Sequence, residues 1–377
     1  MRPHPGPISR RPLDGPVFST ARSGPFQRLL LALGAPLVVA ALLLAAPPAS
    51  AREPSPGVSP AAGEALTQAR LEALQRAQAA VVRVRTIAVD DAQTLDSLGP
   101  RREGSGVVID RDGLVLTIGY LLLEAETVDL ELGADRVVPA RVVGIDTATG
   151  FGLLQPLVPL RVAPVPLGQS GTLAPDQALV SFSGGRDGGA AIARMVSQRP
   201  YSGTWEYHID KALYTAPLRS DHSGAALFNV DGELVGIGSL VLRDVNPPDD
   251  PAVQPGNLFV PVDLLKPILA QLKTQGRVES HRRPWLGVNA TEAEGQVRVL
   301  RVNREGPAFD AGIRPGDRIE AVDGEPVRTL EQFYKSLWKS ADPERTVKLA
   351  IRRGGVTQTL DVQAVDRQSV LRRAKGV

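Results

Sequence analysis

The stretch that decides the fold reads Arg219-Ser-Asp-His-Ser-Gly-Ala-Ala-Leu227, continued by Phe228-Asn-Val-Asp-Gly-Glu-Leu-Val-Gly-Ile-Gly238. A Ser-Gly pair opens a turn, an apolar run of strand length follows, Asn-Val-Asp-Gly supplies hairpin chemistry, and a second apolar run returns. Ser223 sits in that turn. A serine hydroxyl is a weak nucleophile until a neighbouring base takes its proton, so the question put to the rest of the chain is whether such a base exists.

Working outward, short apolar runs bounded by Gly, Pro and Asp extend from Val81 to about Val262 and predict an all-β barrel or sandwich. Leu66, Leu71 and Leu74 at helical spacing predict a short amphipathic helix over Glu64 to Ala80, and Asp263 to Gln275 reads as a closing helix. A second unit carries Trp285-Leu-Gly-Val288 and then Gly306-Pro-Ala-Phe-Asp-Ala-Gly-Ile-Arg-Pro-Gly-Asp-Arg-Ile-Glu-Ala-Val-Asp-Gly324, with a helix over Leu330 to Lys339.

The first unit resembles the high-temperature-requirement (HtrA/DegP) group of trypsin-like serine proteases, and the second resembles a bacterial PDZ domain. The implied fold is mainly β: a trypsin-like double β-barrel followed by a PDZ domain, itself α+β, a small partly open barrel with two helices. The expected division is residues 1–51 signal peptide, 52–63 linker, 64–275 protease-fold domain, 276–284 linker, 285–367 PDZ domain and 368–377 disordered tail. Gly104-Ser-Gly-Val-Val-Ile-Asp-Arg-Asp-Gly-Leu-Val-Leu-Thr117 looks like the segment leading into the family's catalytic histidine. The chain continues Ile118-Gly119-Tyr120-Leu121, which puts Tyr120 at the histidine position. Val143-Gly-Ile-Asp-Thr-Ala-Thr-Gly-Phe-Gly-Leu-Leu154 looks like the family's aspartate segment, with Gly150 at the aspartate position and Asp146 the nearest carboxylate if the register slips. Asp221 stands at the oxyanion-hole position, normally glycine.

Each replacement has a chemical consequence. A phenol with a reference pKa of about 10 is a protonated donor near neutrality and a poor base. Gly150 has nothing with which to orient an imidazole. Asp221 brings a carboxylate near the place where negative charge would develop. Loss of triad function costs about a million-fold in rate, so a pseudoprotease is expected, with Ser223 an inherited turn residue. The other histidines offer little: His4 lies in the leader, His281 in the linker, and His222 adjoins Ser223 with its side chain pointing away. His208 is the residue to inspect first if a base exists, and Lys211 would serve a Ser-Lys arrangement. The chain is therefore assigned no settled enzymatic status from sequence.

The PDZ resemblance implies that an extended peptide adds to a sheet edge while loop amides receive its terminal carboxylate. By position Trp285, Leu286, Gly287 and Val288 form that loop, and Phe333 and Leu337 form the opposite wall; the bland reading makes these apolar residues core. Expected partners are C-termini or unfolded segments of envelope proteins, bound as an adaptor, scaffold or quality-control factor, and the resemblance implies a homo-oligomer, a trimer. Two other readings stay open: an active endopeptidase with an unconventional base, and regulation of an active paralogue through mixed oligomers.

Composition bounds these readings. With 43 Lys and Arg against 41 Asp and Glu, the 377-residue chain carries a formal net charge of +2 and no dense basic run, which argues against nucleic acid. There are no cysteines, hence no disulfide, thiolate nucleophile or zinc-thiolate site, and no cofactor is expected. Arg10, Arg11, Arg22 and Arg28 precede an apolar run from Leu29 to Ala46, and Ala49-Ser50-Ala51 fits signal peptidase. A periplasmic or secreted protein, free of the membrane after cleavage behind Ala51, is expected; the other reading is an uncleaved N-terminal anchor. Ser9-Arg10-Arg11 leaves the export route, Sec or Tat, open.

Overall fold

The computed structural model describes residues 60–133, 135–185 and 188–374. The expected signal peptide, and residues 52–59 of the linker after it, lie outside these. A helix α1 (Pro60–Ala79) leads into strand β1 (Val81–Ala88). The β1 sequence alternates as a half-buried strand must: Val82, Val84, Thr86 and Ala88 point inward, while Arg83 and Arg85 pair outside with Glu103 and Glu131. After a helical turn α2 (Leu95–Leu98) come β2 (Arg101–Val108), β3 (Val115–Ile118), β4 (Ala125–Leu132), β5 (Arg136–Asp146) and β6 (Phe151–Pro156). They close a six-stranded barrel in the order β1-β2-β3-β6-β5-β4.

A second closed barrel, ordered β10-β11-β12-β9-β8-β7, is built from β7 (Ala178–Phe182), β8 (Ala190–Gly203), β9 (Tyr207–Ala216), β10 (Ala226–Phe228), β11 (Leu234–Leu242) and β12 (Gly256–Pro261). The expected hairpin is β10-turn-β11, with Gly232 at φ +76° in the turn. One apolar core, including Leu116, Phe151, Phe182, Phe228 and Val260, runs through both barrels. Helix α3 (Leu269–Gln275) ends at Gly276 in the left-handed conformation, the usual glycine helix stop.

The third unit has its own core of Leu286, Val288, Phe333, Tyr334, Leu337 and neighbours. Its strands are β13 (Pro284–Trp285), β14 (Val288–Ala293), β15 (Gln296–Val302), β16 (Arg318–Val322), β17 (Glu325–Pro326), β18 (Thr346–Arg353), β19 (Val356–Gln363) and β20 (Val365–Asp366). Between them lie α4 (Pro307–Asp310) and α5 (Leu330–Leu337), and α6 (Arg367–Val370) follows. The main sheet runs β14-β15-β16-β18-β19, which leaves β14 on an edge. Thr329 caps α5 by accepting from the Gln332 amide.

Two expectations about loose segments need correction. Through residue 374 the tail is held: α6 forms, Gln368 Nε2 donates to the Ile145 carbonyl at 2.7 Å, and the Arg372 amide donates to Glu124 at 2.9 Å. The stretch 276–284 is tied too, for His281 Nδ1 lies 2.9 Å from the buried Asp146 carboxylate. Polar composition suggested flexibility, but these polar groups find partners on the first barrel.

Candidate functional site

The two barrels meet at the loops that carry the sequence-predicted residues. Ser223 lies between β9 and β10, Tyr120 in the turn Gly119–Leu121 after β3, and Gly150 in the turn between β5 and β6. The backbone locks these loops together: the Ser105 amide donates to the Ser223 carbonyl at 2.8 Å, the Gly224 amide to the Gly238 carbonyl at 2.8 Å, and the Gly119 amide to the Gly150 carbonyl at 2.6 Å. Gly224 is obligatory here. Its φ is +70°, and a Cβ would stand 2.0 Å from the Ser105 carbonyl oxygen.

The Tyr120 hydroxyl stands 2.9 Å from Ser223 Oγ and 2.9 Å from the Ser239 carbonyl oxygen. One phenol proton serves both neighbours, and the carbonyl can only accept. If Tyr120 donates to the carbonyl, its oxygen can take a hydrogen bond from Ser223 but not the proton itself. If it donates to Ser223, the serine oxygen is an acceptor and is not activated. Burial pushes the Tyr120 hydroxyl up to about 12, and its hydrogen bond to Ser223 offsets only part of this, so phenolate is scarce at neutral pH.

Gly150 has φ +88°, and a Cβ there would lie 3.0 Å from the Tyr207 hydroxyl. Tyr207 donates to the Thr149 carbonyl at 2.7 Å and so fills the space a side chain at 150 would need. Asp146, the fallback carboxylate, is committed to Thr149 and His281.

Asp221 behaves differently from the expectation that it would oppose an oxyanion directly. Arg219 grips it through Nε at 2.7 Å and Nη2 at 2.8 Å, and the Ser183 hydroxyl donates to it as well. Burial alone would raise this carboxyl, but the hydrogen bonds and charge of Arg219 hold it below its usual range. Arg219 in turn is buried and reaches the Ser181 and Gly189 carbonyls. The carboxylate is therefore an anchored ion-pair partner. An arginine two residues before the aspartate was the available signal.

The remaining histidines are engaged elsewhere. His208 Nδ1 lies 2.9 Å from Ser202 Oγ, its Nε2 3.2 Å from Asp210, and His222 Nδ1 lies 2.9 Å from the Ser220 carbonyl. Lys211 is exposed on β9.

In the third unit Leu286, Val288, Phe333 and Leu337 are buried in the domain core and Trp285 is half-buried; Gly287 takes φ +81°. The amides of Leu286, Gly287 and Val288 converge on one carboxylate, that of Glu206, at 3.0, 2.8 and 2.9 Å. Sequence reasoning passed over Glu206, which lies 80 residues upstream in the β8–β9 turn.

These features define a class: a two-barrel trypsin-like peptidase fold joined to a PDZ domain. Family models agree, one for a trypsin-like peptidase domain matching residues 104–237 and one for a PDZ domain matching residues 284–364. A probable periplasmic serine endoprotease DegP-like of Pseudomonas fulva is 27% identical over 274 residues, covering 69% of this chain and 55% of its own length. The periplasmic pH-dependent serine endoprotease DegQ of Escherichia coli is 26% identical over 274 residues, covering 69% and 58%. The chain thus spans a little over half the length of these curated relatives. Among solved structures, a variant of the HtrA-type protease AlgW with tripeptide matches with a TM-score of 0.50 at 19% identity, over 79% of this chain and 97% of its own, a likeness of fold. The chain thus carries a trypsin-like peptidase domain followed by a PDZ domain, and is similar in this to HtrA-type proteases.

Proposed function

We propose that this is a catalytically silent member of its family, a protein of the cell envelope that holds peptide segments and does not cut them. The observation that carries the reading is the 2.9 Å contact of Ser223 Oγ with the Tyr120 hydroxyl, a phenol in place of a base. Gly150, crowded by Tyr207, and Asp221, bound to Arg219, add to it. Peptide holding is supported by the PDZ match and by the amide loop at 286–288. An extracytoplasmic location is supported by the periplasmic relatives and by the leader-like N-terminal sequence. No helix among the described residues is long and apolar enough to cross a membrane. Ligands are read as C-termini or unfolded segments of envelope proteins, with self-association as the family resemblance implies.

The test is active-site labelling. The purified chain is incubated with a fluorophosphonate, which requires an activated serine, beside an active trypsin-like peptidase. We expect no Ser223 adduct by mass spectrometry. An adduct on Ser223 that is absent from Ser223→Ala would replace this reading with an enzyme.

A further inference from the structure

We propose that the PDZ groove is loaded by the chain's own β8–β9 hairpin tip, whose Glu206 carboxylate stands where a ligand's terminal carboxylate would sit, so that an incoming chain end binds by displacing the hairpin. The proposal rests on the peptide-holding reading and supplies its regulation.

The contacts reproduce a bound peptide piece by piece. A terminal carboxylate would be received by the loop amides, and here the amides of Leu286, Gly287 and Val288 all donate to Glu206. A bound peptide would then run along the β14 edge and accept from alternate amides. The Ala290 amide, two residues after Val288, donates to the Thr204 carbonyl at 2.8 Å. On the helix side, the Tyr334 hydroxyl donates to the Gly203 carbonyl at 2.7 Å and accepts from the Glu206 amide at 3.2 Å. Edge, loop and helix of the groove are thus all engaged by residues 203–206.

The tip is built for this position. Glu206 has φ +57°, a conformation that a non-glycine residue adopts at a cost and that persists where surrounding contacts fix it. Trp205 stacks on Tyr207 with ring centroids 5.7 Å apart, stiffening the turn. At the same seam, Lys335 of α5 reaches Asp210 of β9 at 2.9 Å and Glu331 at 2.7 Å. The cluster of His208, Asp210 and Glu331 therefore already holds its cation, and we read it as a second tie between hairpin and helix, not a metal site. Tyr207, next to Glu206, is the residue packed against Gly150, so the hairpin that fills the groove also closes the barrel's inherited site.

Two measurements on the purified chain separate the loaded groove from the peptide-holding reading. Hydrogen exchange across residues 285–291 needs no ligand: these amides should be protected in the wild type and exchange about tenfold faster or more in Glu206→Ala. Equal exchange in the two proteins overturns the loaded groove. Binding is then followed with a fluorescent decapeptide ending in Val-Val, with a free carboxylate or amidated. We expect Glu206→Ala to bind the free acid about tenfold or more tightly than the wild type does, and neither to bind the amide. Measurable binding of the free acid with equal affinity by the two proteins overturns the proposal. Faster exchange without binding by Glu206→Ala leaves the groove self-loaded and removes the peptide-holding reading. Tyr334→Phe, which keeps the ring and loses the hydroxyl, should shift exchange the same way by a smaller factor; an unchanged rate counts against the hairpin contact.

Discussion

Glu206 gives the account its sharpest pH dependence. Burial raises its carboxyl from an ordinary 4.5 to about 7, outweighing the three loop amides and the charge of Arg367, which pull the other way. Arg283, Asp366 and Arg367 line the same small cavity as Glu206, and the Tyr334 hydroxyl of α5 accepts from the Glu206 amide. With a folded value above the unfolded one, the folded chain holds the extra proton. The resulting stability is fully present below pH 4.5 and is lost as pH rises through about 7. A pKa rise of this size corresponds to about 3 kcal/mol in full, most of which falls between pH 5 and pH 8. The three tryptophans of the chain, Trp205, Trp285 and Trp338, lie in the hairpin tip and the PDZ unit, so their fluorescence reports this seam in a urea titration. Glu206→Gln cannot titrate but retains His208, His281 and every neighbouring charge. The wild type should lose about 2 to 3 kcal/mol more than Glu206→Gln between pH 5 and pH 8. Parallel pH profiles for the two proteins would refute the reasoning.

Three other outcomes follow from the geometry. Gly150→Asp meets both φ +88° and the Tyr207 hydroxyl; thermal unfolding should show a loss of about 2 kcal/mol with no gain of hydrolysis. Arg219→Ala strands the Ser181 and Gly189 carbonyls and the Asp221 carboxylate, and should cost about 3 kcal/mol in urea unfolding. Glu124 accepts from the amides of Gln93, Thr94 and Arg372, so Glu124→Ala should speed tryptic cleavage at Arg372 and Arg373 by about tenfold. Burial opposes the charged form of Glu124, but these hydrogen bonds hold its carboxyl below the usual range. Its anchoring is therefore present above the unfolded value and fades as pH falls, opposite in sign to Glu206.

Much of the fold was legible because its signals are local. The Ser-Gly turn and the Asn-Val-Asp-Gly hairpin at 223–232, the segment 104–117 and the Gly-Asp hairpin at 316–324 each carry their own turn chemistry within some fifteen residues. The loop places of Tyr120 and Gly150 were readable in the same way, since position within a motif fixes place in the loop. Pairings across the chain were not. Glu206 meets Leu286 across 80 residues, His281 meets Asp146 across 135, and Arg372 meets Glu124 across 248. None of these residues announces a partner by spacing. A polar stretch such as 276–284 or 368–374 looks like solvent-facing linker until the surface that receives it is known. Asp221 was incompletely readable for a related reason: its charge is visible in the sequence, but its ion pair with the buried Arg219 is not.

The most direct test of the central claim is proteolysis itself. The purified chain and Ser223→Ala are incubated with reduced casein at neutral pH, with folding of both confirmed by circular dichroism. Neither protein should degrade the casein. Degradation by the wild type that vanishes in Ser223→Ala would contradict that claim.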